Sequence, residues 1–228
     1  MVVVIAVLLT VLVIYFVIGM LKSSQSDIVE VVIAKAWQNR FARQDLVEKY
    51  DFYIRQNEKY HKYKSKQLEK KIKENQKQRD TYQKQEEKYL SGKSIGIIDL
   101  IPVFGYQLCS ILGLNGESAM LRNLMLHCEQ SGYIELGRDQ ETNNKKNSMI
   151  YSYYLLASVI SYAYVGCILG LFTMILMIAA GKETTVSLVI GVVVIVGMTI
   201  LGYIPMDSIQ NKALHRKEDI DRQFPDVV

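Results

Sequence analysis

The sequence is poor in the residues that build disulfide frameworks, metal sites and catalytic sites. Its 228 residues include three cysteines and three histidines. The cysteines lie far apart and form no C-x-x-C pair, which predicts free thiols, while the isolated histidines predict no metal site. These residues are Cys109, Cys128, Cys167, His61, His127 and His215.

Motifs for nucleotide and hydrolytic chemistry are also missing. The chain has no phosphate-binding G-x-x-x-x-G-K-[ST] loop, no G-x-S-x-G nucleophile turn and no H-E-x-x-H zinc motif. The sequence therefore predicts a protein that is not an enzyme and binds no cofactor. Work driven by ATP would require another protein to hydrolyse the nucleotide.

Charge is missing from three long apolar segments. The first runs from Val2 to Leu21, the second is uncharged from Asn147 to Gly181, and the third covers residues 186–204. Twenty helical residues span about 30 Å, the thickness of a bilayer core. The sequence thus predicts an all-α integral membrane protein with an N-terminal transmembrane helix, a cytoplasmic helical region and a C-terminal transmembrane hairpin.

The predicted organisation has seven segments. Three transmembrane helices are separated by a basic region, a compact cytoplasmic or interfacial helical region and a short extracytoplasmic loop, and a cytoplasmic tail follows. In chain order these segments cover residues 1–21, 22–93, 94–148, 149–180, 181–185, 186–204 and 205–228.

Each transmembrane assignment has an alternative. The first segment could be a cleaved signal peptide, but no basic residue precedes Lys22 and no A-x-A cleavage pattern follows, so an uncleaved anchor is favoured. The other two segments could be buried helices of a soluble core, which their length and lack of a polar stripe oppose.

Basic residues predict the orientation in the membrane. Of 27 lysines and arginines, 22 lie between Lys22 and Lys146, four follow the third apolar segment, and only Lys182 lies in the hairpin loop. Because such residues mark the cytoplasmic side, we expect the N-terminus outside and the C-terminus in the cytoplasm of a plasma (inner) membrane.

Residues 25–92 are predicted to be helical. Apolar positions recur at helical spacing over 25–47, and residues 48–92 contain neither proline nor glycine before Gly92, which favours a long helix. A weak coiled-coil pattern with seven-residue spacing is present, although polar residues occupy intervening core positions. A helical hairpin or a helix docked on a partner fits equally well. The spaced residues are Leu46, Tyr53 and Tyr60, then Leu68, Asn75, Tyr82 and Tyr89; the polar ones are Ser65, Arg79 and Glu86.

The stretch from Lys59 to Lys93 is strongly basic, with twelve basic and five acidic residues. Such a charge excess would attract anionic membrane lipid or an acidic partner protein. The alternative is a solvated helix face with pairs such as Glu69–Lys73. Nucleic acid is not expected, because no reading motif appears. The candidate contact residues are Lys62, Lys64, Lys66, Lys70, Lys71 and Lys73.

Residues 94–148 form the least regular region. Ile95–Leu114 is apolar but is interrupted by Pro102 and Gly105, so it is predicted as a cytoplasmic helix, with an interfacial or re-entrant helix as the alternative. An amphipathic helix is expected over 117–131, ending at a glycine C-cap. Residues 138–148 are predicted to be a polar linker.

Glycines in the hairpin predict close helix packing. Gly166 and Gly170 form a G-x-x-x-G pair in the second apolar segment, and Gly191, Gly197 and Gly202 offer similar sites in the third. Packing within the hairpin is favoured over a dimer face. The absence of charge within the three segments argues against a transporter or pore.

The C-terminal segment carries a short motif. A basic stretch after the hairpin leads to Arg222, Phe224, Pro225 and Asp226. This resembles the opening of the type II secretion system F domain, in which an arginine-containing helix leads to a Leu-Pro-Asp-like motif. The order of segments over about 95–228 is similar to the TadC and TadB type of pilus-assembly protein, whereas 48–92 has no counterpart. The family's F domain continues beyond this point, so the resemblance implies a chain truncated where that domain begins.

The resemblance implies a function. Proteins of this family are inner-membrane platforms of type II secretion or type IV (Tad) pilus machines, which couple a cytoplasmic secretion ATPase to the insertion of pilin-like subunits. Self-association or a paralogous platform subunit is a further implied partner. The alternative from the residues alone is a membrane-anchored coiled-coil scaffold or adaptor that binds anionic lipid or a partner protein.

Overall fold

The computed structural model describes residues 2–59, 66–91, 96–114, 118–132 and 141–223. Within these ranges the chain forms α-helices and one short 3-10 helix, and no strand. The prediction of an all-helical protein is confirmed. The helices are α1 (Val2–Lys22), α2 (Gln25–Lys59), α3 (Lys66–Leu90), α4 (Ile101–Ile111), α5 (Ala119–Gln130), α6 (Glu141–Ala179) and α7 (Thr184–Gln223), with the 3-10 helix at Ile97–Leu100 before α4.

Three helices are long and apolar enough to cross a membrane. They are Val2–Lys22, Asn147–Ala179 and Thr184–Ile220, and their apolar side chains are largely exposed on the protein surface. Val3 of α1, for example, is 75% exposed and Val193 of α7 is 63% exposed. Such surfaces would be costly in water but are favourable against lipid, so the protein is a membrane protein.

The chain divides into two compact units. The first contains Met1–Val31 and Leu100–Val228, and the second contains Val32–Asp99. Helix α2 therefore begins in the first unit and continues in the second. The three membrane-length helices all belong to the first unit.

Helix α6 is the central element of the first unit, because α1, α4, α5 and α7 all pack against it. Between Ser148 and Ser161 it is buried on most of its circumference, including Tyr151 and Leu155. The predicted linker over 138–148 is wrong where the structure describes it, since α6 already begins at Glu141. Extending an existing helix costs no new nucleation, and the stretch 141–148 contains no proline or glycine.

Helices α6 and α7 form an antiparallel pair joined by a tight turn. Gly181 adopts a left-handed φ of 76°, and the Lys182 N–H donates to the Met177 carbonyl in a Schellman-type ending. Helix α7 passes through Pro205 without ending and continues to Gln223. The predicted boundary at residue 204 is therefore not a helix boundary.

The second unit contains most of α2 and all of α3. Instead of a helix starting at residue 48, α2 runs uninterrupted across that position to Lys59. Glu86 of α3 is 5% exposed and accepts ion pairs from Arg40 at 3.2 Å and Arg43 at 3.1 Å, both on α2. This buried carboxylate joins the two helices, as in the helical-hairpin alternative.

Burial along α3 follows a heptad rhythm. Six positions spaced by three and four residues are more sheltered than their neighbours, which is the spacing of a coiled-coil seam. Several of these positions are polar, and Glu86 among them pairs with arginines of α2. The positions are Ile72, Asn75, Arg79, Tyr82, Glu86 and Tyr89.

Candidate functional site: a four-helix junction

Helix α4 crosses α6 at a point where no side chain separates the two backbones. A Cβ atom at Gly105 would collide with the carbonyl oxygen of Ala157 and would lie 2.5 Å from the Ser161 hydroxyl oxygen. Glycine is therefore required by the close approach of backbone to backbone. Small residues on α6 complete the contact.

Two further contacts occur at the same level of α6. Gly202 of α7 faces Ser158, Val159 and Tyr162, so that a Cβ there would lie 3.2 Å from the Ser158 carbonyl oxygen. Gly19 of α1 faces the ring of Phe104, 2.5 Å from a Cβ built on this glycine. We call this layer the junction and define it by Gly19, Phe104, Gly105, 157–162 and Gly202.

An aromatic cluster closes the junction on the side of α1. The ring of Phe104 lies 4.9 Å from that of Phe16 and 4.8 Å from that of Tyr164, and Tyr15 makes an edge contact with it at 5.9 Å. The Tyr164 hydroxyl donates to the Leu12 carbonyl at 3.1 Å. Aromatic pairs of this geometry contribute roughly 0.5–1.5 kcal/mol each beyond their buried area.

The contacts fix the direction of each helix. Tyr164 of α6 meets Leu12 and Phe16 of α1. Gly19, further along α1, lies beside Phe104 and Gln107 of α4, which runs towards the N-terminal end of α6. Helix α1 is therefore antiparallel to α6. The end of α1 marked by Lys22 and the polar N-terminal end of α6 lie on the same side of the junction.

Two hydroxyl groups at the junction are buried without a partner in the part of the chain that the structure describes. They belong to Ser158 and Ser161, whose exposed fractions are 3% and 0%. A buried hydroxyl without a hydrogen bond typically costs about 1–3 kcal/mol. Their small size permits the close crossings, so packing outweighs hydrogen bonding here.

Helix α5 packs beside the polar half of α6. Ser118 caps its N-terminus by accepting from the Leu121 N–H, and Leu121, Leu124 and Cys128 are buried at 3–4 spacing. The Ser152 hydroxyl of α6 lies 3.4 Å from the Cys128 sulfur. These contacts attach α5 to the N-terminal half of α6.

Burial controls the titration of the groups around α4 and α5. It raises the pKa of the Cys109 and Cys128 thiols to about 12, so neither is a thiolate at neutral pH. The pKa of Tyr106 is also raised, first by burial and then by the carboxylates of Glu30 and Asp27. These three groups therefore stay neutral and shielded at neutral pH.

Helix α5 also contacts α7. At the end of α5, Gly132 adopts a left-handed φ of 73°, and the Arg216 guanidinium lies where a Cβ of this glycine would stand. A cation at a helix C-terminus is favourable, by typically 0.3–1 kcal/mol at exposed sites. Arg216 therefore joins the end of α5 to the polar extension of α7.

The structure places the sequence-predicted residues as follows. Gly166 and Gly170 lie in the α6–α7 contact, against Ile195 and Gly191 respectively. Of the third-segment glycines, Gly197 has no neighbouring atom within 4 Å, so the packing role expected for it is wrong.

The predicted basic contacts are only partly within the described residues. Lys70, Lys71 and Lys73 are exposed on α3. For Lys66 and Arg222 the structure describes the helical backbone and not the side chain. The remaining predicted residues lie outside the described residues: Lys62, Lys64, Pro225 and Asp226.

Gly105 and Arg216 were not identified by the sequence reasoning as contact residues. Gly105 stood out only as an interruption of an apolar run, although a glycine inside an otherwise continuous helix is itself a signal of close backbone approach. Within the described residues there is no group of three or more metal-ligating side chains. The junction packs α1, α4 and α7 around α6.

Comparison with known proteins gives no relative: no family model, no curated protein and no solved structure matches the chain.

Proposed function

We propose that the protein crosses the membrane three times, with α1 as an N-terminal anchor and α6–α7 as a hairpin. Its N-terminus and the turn at Gly181–Lys182 would lie outside, and the polar ends of α6 and α7 in the cytoplasm. The antiparallel contact of α1 with α6 supports this topology, because Lys22 and Lys146 then share one side.

We further propose that it is a non-enzymatic platform subunit of a type II secretion or Tad pilus machine, coupling a cytoplasmic ATPase to pilin insertion. The observation that carries this proposal is that α6 and α7 each run as one continuous helix from a polar end into a membrane-length apolar segment. From Gly202 to Gln223, α7 extends about 30 Å beyond the junction.

Continuous helices suit such a role physically. A force applied to the polar end of α7 is transmitted along one continuous hydrogen-bonded helix. Helix α5 contacts both α7, through Arg216, and α6, through the buried face around Leu124. At the junction, backbones in direct contact leave little room for relative sliding. A displacement in the cytoplasm would thus reach the membrane part of the hairpin.

The test is made with the chromosomally encoded protein. The paired change Pro225→Ala and Asp226→Asn, in the motif that resembles the family, should abolish filament assembly and co-purification with a hexameric secretion ATPase and with pilins. Normal filament assembly in a clean deletion strain would refute the platform function outright.

The second candidate is a membrane-anchored scaffold that binds anionic lipid or a partner through the α2–α3 hairpin. The exposed Lys70, Lys71 and Lys73 beside the heptad seam of α3 favour it. Reversing these three charges to glutamate should then abolish localisation or partner binding. The matched control reverses three other exposed lysines of α3: Lys77, Lys84 and Lys88.

The two candidates separate in this pair of experiments. The platform function predicts that the motif variant loses activity while both sets of lysine variants keep it. The scaffold function predicts loss only for the first lysine set, with the motif variant unaffected.

A further inference from the structure

The depth of α4 relative to the spans follows from its contact with α6. Gly105 touches Ala157 and Ser161, which lie 22 and 18 residues before the end of α6 at Ala179. These separations correspond to about 33 and 27 Å of helix, which bracket the roughly 30 Å thickness of a hydrocarbon core. Gly105 therefore lies at the cytoplasmic edge of that core.

Helix α4 does not lie flat along this edge. Phe104 reaches Tyr164, deeper along α6, whereas the Tyr153 hydroxyl donates to the Tyr106 carbonyl at 3.3 Å. Helix α4 thus runs antiparallel to α6. At a rise of 1.5 Å per residue, its N-terminal cap, Leu100, lies up to about 7 Å on the membrane side of Gly105, and its C-terminal cap, Leu112, up to about 10 Å on the cytoplasmic side.

Polar side chains appear in α4 only after Gly105, although the exposed Ile111 and Leu112 keep its C-terminal end partly apolar. Residues 100–104 are all apolar, while Gln107 and Ser110 follow Gly105. Leu100 and Ile101 are partly exposed on the protein surface.

At the start of α4 itself no side chain caps the helix, whereas the Asp99 side chain accepts from the Gly96 N–H at the start of the preceding 3-10 helix. Leu100 makes no capping bond, whereas α5 is capped by the Ser118 hydroxyl. Pro102 at the second helical position removes one N–H that would otherwise be orphaned, and the preceding 3-10 helix leads directly into α4. Both features reduce unsatisfied donors, as an apolar surrounding requires.

We propose that the partly exposed side chains of Leu100 and Ile101, at the start of α4, insert into the acyl chains of the cytoplasmic leaflet, and that the helix leaves the membrane at Gly105. Helix α4 thereby adds a fourth membrane contact without crossing the bilayer. This inference rests on the proposed membrane placement of α6, and not on the platform function.

The experiment uses Leu100→Cys and Leu112→Cys, two leucines at the opposite caps of one helix. The full-length chain carries a nitroxide at either site in vesicles of phosphatidylethanolamine and phosphatidylglycerol. Collision with oxygen, which concentrates in lipid, is compared with collision with a water-soluble nickel chelate. Labelled unsubstituted protein supplies the background of native thiols.

The nitroxide at residue 100 should collide more with oxygen than with nickel, and the one at residue 112 more with nickel than with oxygen. Nickel preference at residue 100 would overturn the proposal, as would low collision with both reagents, which signals burial in protein. Oxygen preference at residue 112 would overturn the exit at Gly105.

A third variant, Val193→Cys, separates failure of this inference from failure of the membrane placement. Val193 is 63% exposed in the middle of the α7 span. If its nitroxide prefers nickel, the placement of the hairpin is wrong and the proposal falls with it. If it prefers oxygen, the results at residues 100 and 112 decide the depth of α4 alone.

Discussion

Gly105→Ala is the most informative single change, because the added methyl would meet backbone atoms that cannot rotate away. The Ser161 hydroxyl oxygen lies 2.5 Å from the new Cβ, and the Ala157 carbonyl oxygen is closer still. Relief to a normal contact of 3.4 Å requires α4 to move by about 0.9 Å or more. Overpacking of this kind costs about 1–3 kcal/mol, and a backbone clash belongs at the upper end.

The matched control is Gly197→Ala, since a Cβ at Gly197 has no atom within 4 Å. There the substitution should be neutral or stabilising by up to about 1 kcal/mol through helix propensity. Gly19→Ala should fall between the two, because the obstructing Phe104 ring can rotate.

Thermal unfolding of the detergent-purified protein, followed by far-ultraviolet circular dichroism, measures the difference. A loss of about 3 kcal/mol corresponds to roughly 6–12 °C in Tm for a chain of this size. Hydrogen exchange should increase over 101–111 in the Gly105 variant. If Gly105→Ala and Gly197→Ala unfold within 2 °C of each other, the backbone contact at the junction is refuted.

Four further predictions concern residues outside the junction. Glu86→Gln should destabilise the α2–α3 pair by about 1–3 kcal/mol, because the buried side chain loses the charge that pairs with Arg40 and Arg43. The loss stays within this range because both arginines keep access to water. Hydrogen exchange over α3 should increase. Arg216→Ala should accelerate exchange over α5, whereas Lys217→Ala should not. Cys109 and Cys128 should be alkylated about a thousandfold more slowly than exposed thiols at pH 8, because their pKa values are raised from 9.0 to about 12. Folding stability should fall as the pH rises from about 9 towards 12, where only the unfolded thiols ionise.

Hydropathy alone located the three membrane-length helices, because a bilayer imposes a length and a composition that few soluble segments share. It did not locate their polar extensions. The residues before Asn147 looked like a linker since they are polar, yet polarity is no barrier to a helix that is already nucleated and solvated.

Pro205 illustrates the same limit. A proline inside a helix removes one hydrogen bond and crowds the carbonyl four residues earlier, so it is normally a boundary signal. In α7 the helix continues because Met206, Ile209 and Ala213 are buried at 3–4 spacing immediately after it. Tertiary packing thus compensates for the hydrogen bond that the helix loses at Pro205.

Non-local contacts were the least accessible to sequence reasoning. The seven-residue spacing around Glu86 was visible in the sequence. The sequence did not show that this core carboxylate pairs with Arg40 and Arg43, which lie more than forty residues earlier. Gly105 likewise acquires its role from Ala157 and Ser161. Periodicity predicts which face of a helix is sheltered, and not which residues meet it.

The central proposal is that α6 and α7 form one membrane-spanning hairpin whose polar ends lie in the cytoplasm. The most direct test is reaction of Lys182→Cys and Leu214→Cys with a membrane-impermeant maleimide, in intact cells and after the cytoplasmic side is opened. We expect residue 182 to react in intact cells and residue 214, which is 54% exposed, to react only after opening. Reaction of both residues from the same side, or recovery of the protein in the soluble fraction, would contradict the account.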